Sequence, residues 1–126
     1  MAEGLQKRLQ GELEKYQAVQ KDYQKYVSAR QQLDAQLNEN SLVKEELDRL
    51  SDGSNVYKMI GPVLVKQDLG EAKQTVQKRI DYISGEIKRH ENTIKDLEKK
   101  QETHRDNLNK IQHQFQQAQV KAAARA

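Results

Sequence analysis

With hydrophobic residues at 35%, aromatics at 5% and a mean hydropathy of −1.05, this 126-residue chain has too little apolar material for the closed core of a compact domain. Its formal net charge is only +3 and its apolar residues recur at fixed intervals, so the polarity belongs to two-faced helices rather than to a disordered chain. Cysteine is absent, which excludes a disulfide framework and a thiolate metal site, and the 22 basic and 19 acidic residues alternate along the chain instead of segregating as a nucleic-acid surface does.

The first predicted element is a helix over residues 3–51. Leu5, Leu9, Tyr16, Val19, Tyr23, Tyr26, Leu33, Leu37 and Leu47 fall on one frame of alternating three- and four-residue steps, which is a heptad seam. The same frame passes through Glu12, Arg30, Asn40 and Lys44, so the seam carries polar interruptions. Leu42, Val43 and Leu50 suggest that its phase drifts near the end. "SDG" at Ser51 to Gly53 reads as the helix stop, with Gly53 available for a left-handed cap.

Residues 52–68 then read as a β-hairpin linker. Val56-Tyr57-Lys58-Met59-Ile60 and Val63-Leu64-Val65-Lys66 are β-prone runs on either side of Gly61-Pro62. Both faces of the ribbon are apolar, since Val56 and Ile60 point opposite to Tyr57 and Met59, and Val63 and Val65 opposite to Leu64. A lone two-stranded ribbon is marginal in water and its open edges invite further pairing. The assembly residues are therefore Val56, Tyr57, Met59, Ile60, Val63, Leu64 and Val65, completing a sheet or barrel shared between several chains. The competing interpretation is an irregular apolar plug at the end of the coil.

A second helix is expected over residues 69–120, opened by an Asp68 cap with Glu71 three positions on, and followed by a tail at 121–126. Its frame runs through Val76, Ile80, Ile83, Ile87, His90, Ile94, Leu97, Gln101, His104, Leu108, Ile111, Phe115 and Ala118, with Leu69 and Ala72 upstream of a four-residue stutter. The short link makes the helices antiparallel neighbours, each roughly 70 Å long at 1.5 Å per residue. Folding the chain about its middle pairs positions whose numbers sum to about 120, which sets Arg30 near His90, and Tyr16 and Val19 near His104 and Gln101. Polar layers of that kind fix register and orientation.

No catalytic constellation is visible. "GEAK" at Gly70 to Lys73 lacks the spacing of a phosphate cradle, and His90 and His104 lie about 21 Å apart along one helix, too far to share a metal. The expectations are no enzyme, no cofactor, no metal and no nucleic-acid or membrane partner, since no apolar run approaches a membrane span. The opening "MAEGLQKRLQ" lacks a signal-peptide layout, which makes a cytoplasmic location the expectation.

The order helix, single hairpin containing "VYKMIGPVLVK", helix, at this total length, resembles the β-type subunits of prefoldin, and the likeness spans essentially the whole chain. Its most specific parts are the hairpin and the segment from Gly70 to Ile83; heptads alone match many unrelated proteins. Gly4, Gly11 and Gly85 depart from a clean helical repeat, each weakening helicity by roughly 1 kcal/mol relative to Ala. The resemblance implies a hetero-hexamer of two α-type and four β-type subunits, joined through a double β-barrel of hairpins with six coiled coils below. It also implies an ATP-independent co-chaperone that holds unfolded actin and tubulin and passes them to the cytosolic group II chaperonin.

The helix ends are the expected client contacts: Leu5, Leu9 and Leu13 from the first helix would come close to Ile111, Phe115 and Val120 from the second. A cluster of flexible apolar side chains on a Gln-rich background suits weak binding of unfolded polypeptide. The alternative from another class is a structural or tethering coiled coil whose hairpin is a hinge and which holds no client.

Overall fold

The computed structural model describes residues 2–125 and orders four elements along the chain: α1 (Ala2–Asp48), β1 (Val56–Ile60), β2 (Val63–Gln67) and α2 (Leu69–Arg125). The chain divides into two compact units, one of residues 29–90 and the other combining the residues up to 28 with those from 91 onward.

Both helices follow their heptad frames. In α1 every frame position from Leu5 through Lys44 is half-buried, and Leu47 is buried. The seam does not drift near the end of α1: Lys44 and Leu47 remain inside while Leu42, Val43 and Leu50 are exposed. The long Lys44 stem can lie along an apolar seam with its ammonium in water, so the frame tolerates a lysine without rotating the helix.

The two helices contribute unequally. Ala72, Val76, Ile83, Ile87, Ile94, Leu97 and Ile111 are the buried apolar residues of α2, whereas α1 supplies only Leu47 to that set among the described residues. The seam of α1 is built from Tyr, Arg, Asn and Lys as well as Leu, and such side chains keep a polar end in water.

The hairpin-bearing unit is anchored by Leu47, Ala72 and Val76, against which Val56, Leu69 and Ile80 pack. Val56 thus ties the root of the ribbon to both helices. An ion pair between Lys73 Nζ and Asp48 Oδ1 at 4.0 Å lies beside this cluster.

α1 stops three residues before the expected 51, and not with a left-handed glycine. The Arg49 amide donates to the Glu45 and Glu46 carbonyls, both at 3.2 Å, and the Leu50 amide to the Leu47 carbonyl at 3.2 Å, so a tightened last turn satisfies those acceptors. A β-turn then closes from the Ser54 amide to the Ser51 carbonyl at 2.9 Å, with the two serine hydroxyls 3.2 Å apart. Gly61 is the one glycine with positive φ among the described residues, so Gly53 does not adopt the expected left-handed cap.

Asp68 caps α2 as its sequence suggests: its carboxylate accepts from the Glu71 amide at 3.1 Å and its carbonyl from the Ala72 amide at 2.9 Å. α2 runs on to Arg125, past the expected 120, because Lys121-Ala122-Ala123-Ala124-Arg125 is made of the strongest helix formers.

Candidate functional site

β1 and β2 pair antiparallel in the register Val56 with Gln67, Tyr57 with Lys66, Lys58 with Val65, Met59 with Leu64 and Ile60 with Val63. Gly61 and Pro62 alone connect them. Gly61 takes φ of +58° and the proline ring holds the next φ near −65°, the sign pattern of a type II′ turn, whose twist matches that of the flanking strands.

Alternation along this register puts Val56, Lys58, Ile60, Val63, Val65 and Gln67 on one face and Tyr57, Met59, Leu64 and Lys66 on the other. Of the seven predicted assembly residues only Val56 is partly covered; Tyr57, Met59, Ile60, Val63, Leu64 and Val65 are all exposed. The directly opposed Met59 and Leu64 are 68% and 63% exposed. Covering such side chains stabilises by on the order of 1 kcal/mol or more each. The sheet has two strands and hence two unpaired edges. A cleft of about 270 Å³, lined in part by Val43, Leu47, Val56, Tyr57, Ala72 and Val76, continues the apolar surface from the ribbon onto the helices of the same unit.

In the other unit the six predicted contact residues behave differently from one another. Leu13 and Val120 are exposed, Val120 to 69%, and Leu5, Leu9 and Phe115 are half-buried. Ile111 is only 5% exposed, since its frame position turns it into the seam, where it holds the helices together instead of facing outward. Leu5 and Phe115 meet across a small apolar depression of about 220 Å³ that they share with Ala118, Gln119 and Ala122.

The same unit contains a polar layer that periodicity alone did not locate. Glu12 Oε1 accepts from His104 Nδ1–H at 2.6 Å and from the Asn107 side-chain amide at 3.0 Å. The two side chains are largely covered, at 12% exposure for Glu12 and 21% for His104. The hydrogen bond from His104, then that from Asn107, holds the Glu12 carboxyl below the usual carboxylate range. Sequence spacing set His104 opposite Tyr16 and Val19; its partner lies one helical turn earlier, at Glu12. Tyr16 instead accepts from Arg105 at 3.4 Å, and Arg8 reaches the Gln114 side-chain oxygen at 3.4 Å. Across both units the cross-helix partners Arg8 and Gln114, Glu12 and His104, Tyr16 and Arg105, and Asp48 and Lys73 have numbers that sum to between 116 and 122.

The remaining histidines are engaged within α2. His90 Nδ1 meets the Glu86 carbonyl at 2.8 Å, and the Gln117 amide lies 3.2 Å from His113 Nε2. Among the described residues no group of three or more His, Asp or Glu side chains is arranged to hold a metal, and no helix is long and apolar enough to cross a membrane.

A family model described as "Prefoldin subunit" matches residues 10–115. Prefoldin subunit 6 of Mus musculus is 59% identical over 124 residues, covering 98% of this chain and 97% of that protein. A probable prefoldin subunit 6 of Drosophila melanogaster is 47% identical, covering 94% and 93%, and prefoldin subunit 6 of Arabidopsis thaliana is 46% identical, covering 92% and 90%. The crystal structure of the prefoldin beta subunit from Thermococcus strain KS-1 superposes with a TM-score of 0.56 at 24% identity, covering 87% of this chain and 90% of that one, which shows the fold. Two long helices flanking one exposed hairpin, together with these matches, make the chain a member of the prefoldin subunit family, whose members are non-enzymatic chaperone components.

Proposed function

We propose that this chain is a β-type subunit of a cytoplasmic hetero-hexamer, built with two α-type and three further β-type subunits. The complex holds unfolded polypeptides, actin and tubulin among them, without ATP and delivers them to the group II chaperonin. The observation that carries the reading is the hairpin, whose two faces expose six large apolar side chains and whose two edges lack partners. A ribbon left in that state is a site for β-augmentation by neighbouring chains.

Division of labour follows from the helix ends. Exposed Leu13 and Val120, with half-buried Leu5, Leu9 and Phe115, offer scattered apolar contact without a fixed template, which suits clients of varied sequence. Several such ends in one assembly raise a weak affinity by multivalency. Removing residues 1–14 and 108–126 is expected to leave hexamer formation intact and abolish suppression of client aggregation. Undiminished holding activity in the truncated complex overturns the assignment of the helix ends.

A further inference from the structure

The net charge of the chain is not spread along it. Residues 1–11 and 107–126 carry five basic residues (Lys7, Arg8, Lys110, Lys121 and Arg125) and one acid, Glu3, for a net +4, whereas residues 12–106 carry 17 basic and 18 acidic residues, for a net −1. No acid follows Asp106. The alternation of charge that argues against a basic surface therefore holds for the middle of the chain and fails at its two ends.

Three of these cations, Arg8, Lys121 and Arg125, lie one helical turn from residues that line the apolar depression of Leu5, Phe115, Ala118, Gln119 and Ala122. Lys121 is one turn along α2 from Ala118, Arg125 one turn from Ala122, and Arg8 one turn along α1 from Leu5. Among the described residues Lys7, Lys110, Lys121 and Arg125 make no ion pair, and the only hydrogen bond of Arg8 is to the neutral Gln114. At about 220 Å³ the depression is smaller than a pocket for a drug-sized ligand, and its scale suits one amino-acid side chain.

We propose that this depression takes an apolar side chain of an unfolded polypeptide and that the cations on its rim select segments in which Asp or Glu flank that residue. The proposal rests on the reading of the helix ends as client contacts and adds a substrate class to it. An acidic polypeptide fits better than nucleic acid, because a single-strand site needs aromatic platforms and Phe115, the one phenylalanine, is already half-buried in the wall of the depression. It also fits better than a membrane surface, because the apolar atoms line a hollow and of the large apolar residues from 112 to 125 only Val120 projects into solvent.

The test uses the complete complex containing this chain and three fluorescent unfolded peptides that share their apolar residues but flank them with Glu, with Gln or with Lys. The Glu-flanked peptide is expected to bind roughly tenfold more tightly than the Gln-flanked one at low salt, as two or three exposed ion pairs provide, with the margin shrinking toward unity near 1 M salt. The double variant K121E/R125E, altered only at exposed positions, is expected to invert the order in favour of the Lys-flanked peptide. Equal binding of all three peptides, or an unchanged order in the variant, overturns the charge selection. If truncation of residues 1–14 and 108–126 weakens all three equally well-bound peptides, the client-contact reading stands and only the selection fails; if truncation changes nothing, the client-contact reading fails with it. Tighter binding of an oligodeoxythymidine strand or of phosphatidylserine vesicles than of the Glu-flanked peptide also overturns the proposal.

Discussion

The hairpin and the helix ends both leave apolar side chains in water, yet they do so in different ways. On the hairpin, six exposed apolar residues sit in a fixed cross-strand register beside two open backbone edges. A partner there must supply a strand at the right spacing and a complementary face, so the surface is demanding and suits permanent assembly. At the helix ends the apolar residues are scattered over two helices, partly covered, and mixed with cations and glutamines. Nothing there imposes a register. The same raw material, exposed hydrophobicity, thus becomes specific when backbone geometry fixes its layout and permissive when it does not.

The sharpest way to break this contrast is to make the hairpin polar. I60D/L64D places a carboxylate on each face without touching the helices, and assembly with other subunits is expected to disappear in native mass measurement while the far-ultraviolet helical signal persists. G61V acts through the backbone instead. A β-branched residue at φ of +58° costs about 1–3 kcal/mol, and a looser turn is expected to weaken assembly without abolishing it.

A smaller effect, confined to the helices, is expected from I94A. Ile94 is buried in the α2 seam, so its truncation should lower unfolding stability by about 2–4 kcal/mol, read from denaturant midpoints, while the exposed hairpin still assembles below the new transition. Loss of assembly under conditions where the I94A helices remain folded counts against the separation of roles.

The smallest effect concerns the polar layer. The Glu12 carboxyl is held below its ordinary value of 4.5, so it contributes stability that is fully present above that pH and is lost as pH falls through the lower folded value. The melting temperature of the native chain minus that of E12Q is therefore expected to shrink on acidification below the ordinary carboxylate range. A difference that stays constant through that window means that the hydrogen bonds from His104 and Asn107 do not favour the ionised carboxylate.

Much of the architecture was legible because it is written in local periodicity. The frame from Leu5 to Leu47 and the frame from Val76 to Phe115 mark the half-buried and buried positions of the helices, and the β-prone runs around Gly61-Pro62 mark the strands to within a residue, β2 reaching Gln67 rather than Lys66. What escaped depends on tertiary context. Glu12 and His104 are 92 residues apart, and a register known only to a few residues cannot distinguish Glu12 from Tyr16 as the partner. Leu42 and Val43 look like core residues by composition, but Lys44 and Leu47 hold the seam and leave them outside. Gly53 looked like a left-handed cap, whereas a tightened turn at 45–50 already satisfies the carbonyls that such a cap serves. The basic ends were readable throughout; they were hidden by averaging the charge over the whole chain.

That the hairpin is incomplete until other subunits cover it is tested most directly by amide hydrogen exchange of Val56–Ile60 and Val63–Gln67. In the isolated chain these amides are expected to exchange fast beside a protected α2 seam, and to become protected when partner subunits are added. Strong protection of both strands in a monomer without partners contradicts it.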